Sequence, residues 1–442
     1  MASRAWWLLG LALMPWPTPS SGQDAVLLTQ AEALERAERE NPELAAVRER
    51  AEARRQRAGA SGRAAWPRLL LSADGVRTDN PARVFASRLN RGEFTQDDFA
   101  IARLNDPPGL SHLTTALALE LPLDVFGKLA SRGRTDAAES RAFDAEAAEA
   151  VQDLKLRVAE AYQRAALARA ALGATGRALA GARAREADIA ARVEEGASLP
   201  ADLLRARARR RQREADRADR EADFDVAVAA LARLLGGGAG ARYEPAGSAA
   251  APGPLQGSLA DWQARAAAAR PTLLAARERL AGAEWSARHE RRSALPDVAL
   301  YGQAYDDRGG FSRGGQSYAL GFSVRWTAFD AGRGRREAAA VADRRASTQD
   351  ARAAADQTRL EVEAAWRRAR AARERYAAAA GGAEDAREAL RVIQERRRAG
   401  MATLTDELET EAMSLAAELD ELRAAADAAL ADGGLRRAAG EL

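Results

Sequence analysis

Residues 41–71, NPELAAVRERAEARRQRAGASGRAAWPRLLL, lie over residues 270–300, RPTLLAARERLAGAEWSARHERRSALPDVAL, without a gap. Pro42 meets Pro271, Arg48-Glu49-Arg50 meets Arg277-Glu278-Arg279, and Pro67 meets Pro296. A second pair of blocks aligns at a shorter offset. EEGASLPADLLR (194–205) lies over RAGMATLTDELE (398–409), with Gly196 on Gly400, Asp202 on Asp406 and Leu204 on Leu408. The offsets are 229 and 204, so the first half holds 25 extra residues between the blocks. A chain that repeats over half its length builds its architecture twice. Each half reads helix, strand, strand, long helix, turn, helix.

The helices follow from spacing. Asn41 is a favourable cap, and Pro42 a favourable first helical residue. No proline occurs from Arg132 to Glu195. Within that run Leu154, Val158, Ala161, Ala165, Ala168, Leu172, Leu179, Ala182, Ile189 and Val193 recur at alternating steps of four and three, the mark of a coiled-coil seam. Thr175 and Glu186 are its polar exceptions. At 1.5 Å per residue the run reaches roughly 95 Å. The segment 333–399 is comparable, and Leu408, Ala412, Leu415, Leu419, Leu422 and Ala426 continue a seam beyond the second turn. Aromatics are only 5% of the chain, so these helices must meet along thin seams of small residues.

Four short strands decide against a simple coiled coil. LTTALALELPL (113–123) puts Leu113, Thr115, Leu117, Leu119, Leu121 and Leu123 on one face. SYALGFSVRW (317–326) does the same with Tyr318, Leu320, Phe322, Val324 and Trp326. About ten alternating residues suit a membrane strand. Tyr318 and Trp326 would stand roughly 26 Å apart, as membrane-interface aromatics on either side of an apolar band. Strands are expected at about 67–78, 112–123, 296–306 and 316–327. Four strands cannot close a barrel, and open edges are costly in lipid. If these strands enter a membrane, several copies of the chain must share one barrel.

The N-terminus MASRAWWLLGLALMPWPTPSSG reads as a signal peptide over 1–22: one cation, a short apolar core, small residues before the cleavage point. The expected organisation is a first repeat over 23–235, an equatorial linker over 236–257 and a second repeat over 258–442. There are no cysteines, which excludes disulfides, thiolate metal sites and a lipid-bearing cysteine. His112 and His289 are the only histidines; each reads as a surface residue, and no nucleophile–base pair or metal spacing accompanies them. No enzyme activity and no cofactor are expected. The net charge is only +3, the arginine runs alternate with acids, and no nucleic-acid partner is expected. The glycine run at 236–240 is no P-loop, since no Gly-Lys-Ser/Thr follows and the only lysines are Lys128 and Lys155.

The ordered set of NPEL, the Pro-led strands, PLDVFGKLASR (122–132), FDAGRGRRE (329–337) and the two matched turns resembles the TolC-type outer-membrane efflux family over essentially the whole mature chain. The resemblance implies a mainly α fold with a β-barrel portion. Long coiled-coil hairpins would form a periplasmic α-barrel, and four strands per chain would enter a twelve-stranded transmembrane barrel of a homotrimer. It implies residence in the outer membrane of a Gram-negative bacterium, among its lipids, with extension into the periplasm. It implies partnership with a periplasmic adaptor and an inner-membrane pump of RND, ABC or MFS type.

By the same resemblance the turns near 196–202 and 400–406 are the hairpin tips. Asp406, Glu409 and Asp202 would ring the pore aperture. Gly196, Ser198, Gly400, Thr403 and Thr405 would be adaptor-contacting. Solvated acids at a helix N-terminus, favoured by its dipole, are the competing reading of the aperture acids. Leu199, Pro200 and Ala201 depart from the family's polar turn, which weakens the transfer at the first tip. The arginines of 205–214 and 396–398 read as a salt-bridged surface or as a patch for an acidic adaptor. Residues 80–109, between the first two strands, would be an extracellular loop: a cap over the mouth, a receptor surface for a phage or toxin, or a passive connection. Two functions compete. One is a passive exit duct for efflux or type I secretion; the other is an exported coiled-coil scaffold or adaptor without a pore.

Overall fold

The computed structural model describes residues 25–238, 240–247, 251–309 and 314–442; the expected signal peptide lies outside them. In chain order the elements are β1 (Val26–Leu28), α1 (Gln30–Glu40), α2 (Pro42–Gly62), β2 (Arg68–Thr78), α3 (Pro81–Asn90), a 3₁₀ turn (Gln96–Phe99), α4 (Ile101–Asn105), β3 (Leu110–Leu123), α5 (Lys128–Glu194) and α6 (Pro200–Leu234). The second half continues with β4 (Tyr243–Pro245), α7 (Leu259–Ala269), α8 (Pro271–Arg292), β5 (Asp297–Arg308), β6 (Gly315–Arg325), α9 (Arg333–Arg398) and α10 (Leu404–Ala439). The chain forms two compact units, and each takes segments from both halves.

The first unit comprises the residues up to Ala46, Ala150–Arg270 and Arg359–Leu442. Its core is built twice. One cluster contains Ala33, Ala37, Val158, Ala165, Leu231 and Leu235; the other contains Trp262, Ala266, Val362, Ala369, Leu435 and Ala439. Each residue of the second cluster stands 229 or 204 positions after its counterpart, the two offsets read from the sequence. Polar contacts repeat too. Buried Asn41 caps α2 by accepting from the Leu44 N–H at 3.0 Å, and its Nδ2 donates to the Leu234 carbonyl at 2.9 Å. At the matching junction Arg270 donates to the Ala438 carbonyl at 2.8 Å. Gly236 and Gly440 end α6 and α10 with φ of +73° and +79°, each packed on the end of a preceding helix. A Cβ on Gly236 would stand 2.3 Å from the Glu40 carbonyl oxygen, so this close approach admits no side chain. Two short strands without a period-two signature pair in parallel: β1, at the start of the expected first repeat, and β4, in the expected linker.

The α5 seam is buried at Leu154, Val158, Ala161, Ala165, Leu179, Ala182 and Ile189. Thr175 sits inside it because its hydroxyl returns a hydrogen bond to the Ala171 carbonyl at 2.9 Å. Along α10 the buried stripe falls elsewhere than the leucines suggest. Glu407, Glu411 and Ser414 are buried, while Leu408, Ala412, Leu415, Leu419 and Leu422 are half-buried.

The second unit comprises Val47–Glu149 and Pro271–Thr358. Its helices approach closely where both partners are small: Gly133 lies against Gly62, and Gly282 against Ala138. Strand gives way to helix at Asp124, whose carboxylate accepts from the Leu129 and Ala130 N–H groups at 2.9 and 2.7 Å. The strands form one antiparallel sheet in the order β2-β3-β5-β6. Its register sets Leu69, Leu119, Gly302 and Leu320 in one row and Leu71, Leu117, Ala304 and Tyr318 in another. The 80–109 segment is no bare loop. Asn80 caps α3 with Pro81 as its first residue, and Thr95 and Asp98 make a capping box at the 3₁₀ turn. These local caps fold it into short helices.

Candidate functional site: the hairpin tips and the open sheet

Each tip begins with the same helix stop. The Gly196 N–H bonds the Val193 carbonyl and the Ala197 N–H bonds that of Arg192; Gly400 and Met401 do likewise to Arg397 and Arg396. Gly196 and Gly400 have φ of +73° and +74°, which a glycine adopts without strain. The restarts differ. Thr403 caps α10 in a reciprocal box: the Asp406 carboxylate accepts from the Thr403 N–H at 2.9 Å and its hydroxyl at 2.7 Å. Leu199 gives α6 no side-chain cap, and Pro200 opens the helix instead.

The expected aperture and tip residues are distributed as follows. Asp406 and Glu409 are exposed and three residues apart, hence on one face of α10. The Thr403 hydroxyl, and then its N–H, hold the Asp406 carboxyl below the ordinary aspartate value. Asp202 is half-buried and accepts from Arg205 at 3.3 Å. Gly196, Gly400, Thr403 and Thr405 are exposed, and Ser198 is half-buried.

A charged cluster lies behind this surface that spacing alone did not reveal. Glu407 and Glu411, only 4% and 8% exposed, face the other helices rather than solvent. Arg185 of α5 pairs with Glu407 at 3.3 Å and with Glu411, and Arg397 of α9 pairs with Glu407. Arg209 of α6 reaches the Leu408 carbonyl at 3.5 Å. Ile189, Ala206 and Leu404 pack beside these groups. Three helices are thus joined at the tip by a buried carboxylate between two guanidinium groups, and Arg209 ties the fourth to the α10 backbone. Glu186, the other polar exception in the α5 seam, is bound by Arg210 at 2.5 Å and Arg207 at 3.4 Å. The arginines of 205–214 are mostly paired, as a salt-bridged surface requires, while Arg211, Arg396 and Arg398 are exposed. A sequence signal did exist: Glu407, Glu411 and Ser414 keep seam spacing. The stronger leucine pattern one residue later masked it.

In the second unit, one sheet face carries Leu69, Leu71, Leu117, Leu119, Leu320, Phe322 and Val324, exposed to between 44% and 78%. Tyr318 and Trp326 are 79% and 60% exposed, and the indole N–H of Trp326 donates to the Ala294 carbonyl at 3.0 Å. The opposite face carries Ser72, Asp74, Thr114, Glu120, Gln303, Ser317 and Arg325 by register. Strands β2 and β6 each have one unpaired edge among the described residues. Neither histidine is free at the surface: His112, 10% exposed, lies 3.0 Å from Asp307, and His289 bonds the Lys128 carbonyl at 3.1 Å. Among the described residues no helix is long and apolar enough to cross a membrane, and no group of His, Asp or Glu could hold a metal ion. Contiguous exposed apolar side chains of this kind mark a membrane or protein contact surface.

Solved structures share this fold. The outer membrane protein VceC from Vibrio cholerae is 20% identical, with 93% of this chain and 96% of that chain covered and a TM-score of 0.74. The CmeC outer membrane channel from Campylobacter jejuni is 16% identical, with 93% and 85% covered and a TM-score of 0.76. The open-state MtrE outer membrane channel from Neisseria gonorrhoeae is 20% identical, with 93% and 88% covered and a TM-score of 0.74. At these identities the likeness shows the fold alone. No curated protein matches the sequence. The profile of the outer membrane efflux protein family matches residues 33–237 and 262–441. The match takes in both repeats, and the family is one of channels rather than enzymes. This chain belongs to the outer membrane efflux protein family.

Proposed function

We infer that the protein is the outer-membrane exit duct of a tripartite efflux or type I secretion machine and conducts its substrates passively. The observation that carries this reading is the four-stranded sheet with one apolar face, one polar face and two unpaired edges. Three copies would close a twelve-stranded barrel, satisfy every edge and turn the polar face to a water-filled lumen. The repeats 23–235 and 258–442, joined by linker 236–257, would each supply two strands and a helical hairpin. Tyr318 and Trp326 would lie at the two membrane interfaces.

The hairpins would extend into the periplasm, with Gly196, Ser198, Gly400, Thr403 and Thr405 toward an adaptor and an RND, ABC or MFS pump beyond it. Asp406 and Glu409, exposed on one face, and Asp202 on the first tip would ring the axis in three copies and favour cations there. The buried Arg185–Glu407–Arg397 cluster supports this division: acids inside the hairpin hold it together, and acids outside face the passage. Single-channel conductance in planar bilayers tests the reading. Wild type should conduct, and Asp406→Asn with Glu409→Gln should lose cation preference. Protein that never conducts, with or without those substitutions, would refute it.

A further inference from the structure

The folded segment between β2 and β3 is seated on its own sheet. A Cβ on Gly315 would stand 1.7 Å from the Asn90 carbonyl oxygen, so β6 begins in direct contact with the end of α3. Arg91, 7% exposed, donates from there to the Ser111 carbonyl at 3.2 Å. Val84, Ser87 and Asp98 are buried, and Phe85, Phe94 and Phe99 stack edge to face at 4.8 and 5.0 Å. A segment able to bury this much does not need a hole. Yet it encloses a cleft of about 280 Å³, lined by Phe85, Phe94, Leu104, Pro107, Arg88 and Arg103. That is close to the lower bound for small-molecule sites, which are mostly apolar with a few fixed polar groups.

The charges in the cleft do not cancel. The Asp98 carboxylate is fully engaged: Arg88 takes one oxygen, and the Thr95 N–H and hydroxyl donate to the other at 2.9 Å each. Arg103 is exposed at the rim, near enough to help hold the Asp98 carboxyl low but in no direct ion pair among the described residues. Two guanidinium groups therefore stand against one carboxylate, above a floor of aromatic rings and prolines.

We propose that this cleft binds a small organic carboxylate with a compact, preferably aromatic, body. The planar fork of Arg103 receives the carboxylate in a bidentate pair. The rings of Phe85 and Phe94 pack against the apolar body. The cleft lies in the connection between two barrel strands, at the sheet end away from Asp124, so it would meet molecules outside the cell. Its occupancy does not depend on conduction.

Ligand-observed ¹⁹F NMR on the full-length protein in detergent micelles tests the site, with 4-fluorobenzoate as probe and 4-fluorobenzyl alcohol as its neutral counterpart. Wild type should bind the benzoate about fivefold or more tighter than the alcohol. Leu104→Trp, which fills the cleft, should abolish benzoate binding. Arg103→Gln, on the exposed rim, should leave the fold intact and reduce the preference for the anion to less than about twofold. The proposal is overturned by no binding at about 10 mM probe, by equal binding of alcohol and benzoate, or by benzoate binding unchanged in Leu104→Trp. If Leu104→Trp does not assemble, unchanged anion preference in Arg103→Gln overturns it alone.

Discussion

Replacing Glu407 by Gln removes the one carboxylate that joins three helices at the tip. Arg185 would keep Glu411, and Arg397 would keep Asp188 at 3.9 Å, so neither cation is left wholly alone. Breaking a buried pair by removing one partner costs about 3–5 kcal/mol, and these residual partners set the expectation at the lower end, about 3 kcal/mol. The loss is local, because the paired cores built around Leu231 and Leu435 are separate clusters. Hydrogen exchange read by mass spectrometry is therefore a better assay than global melting. At about 1.4 kcal/mol per decade, protection over residues 404–412 should fall roughly a hundredfold while residues 154–165 stay unchanged. Removing Arg397 as well should cost less than the sum of the single losses, since each single variant strands its partner. Protection at the tip reduced by less than about threefold would refute the account of the tip as an ion-pinned junction.

Acidification should act on the same helix start by another route. The Asp406 carboxyl is held below its ordinary value, so its contribution is fully present above the usual aspartate pKa of about 3.9 and is lost as pH falls through the lower folded value. Pepsin cleavage between 399 and 406 should rise over that window in wild type and show no such rise in Asp406→Asn. Gly236→Ala should lower the yield of folded protein far more than Gly196→Ala. Both glycines have positive φ, but only at Gly236 would the new Cβ meet backbone, 2.3 Å away. Phe322→Arg, on the apolar sheet face, should cost about 2–4 kcal/mol in lipid and deplete the protein from outer-membrane fractions. Ser323→Arg, on the opposite face, should not; equal depletion by both would contradict the assignment of faces.

Much of this molecule was legible because its repeats are covalently encoded. The 229 and 204 offsets relate the residues of the twin cores to one another, and period-two alternation marks β3 and β6, with β2 and β5 following more weakly as Pro-led segments. The tip glycines were legible because a helix stop needs positive φ at one position. The Arg185–Glu407–Arg397 cluster was not, because its partners come from three helices and the leucines of α10 dominate the pattern. The 80–109 segment looks like a loop in sequence, since each of its helices is too short to leave a periodic signal. Its caps, Asn80-Pro81 and Thr95–Asp98, were the available clues. β1 and β4 are three residues each and carry no alternation to detect.

The central claim is that one chain supplies only part of a lipid-embedded wall. Native mass spectrometry of the detergent-solubilised protein, combined with hydrogen exchange along 68–78 and 315–325, measures this directly. The account predicts a species of three chains in which both outer strands are protected along their full length. A stable single-chain species with the edges of β2 and β6 exchanging freely would contradict it.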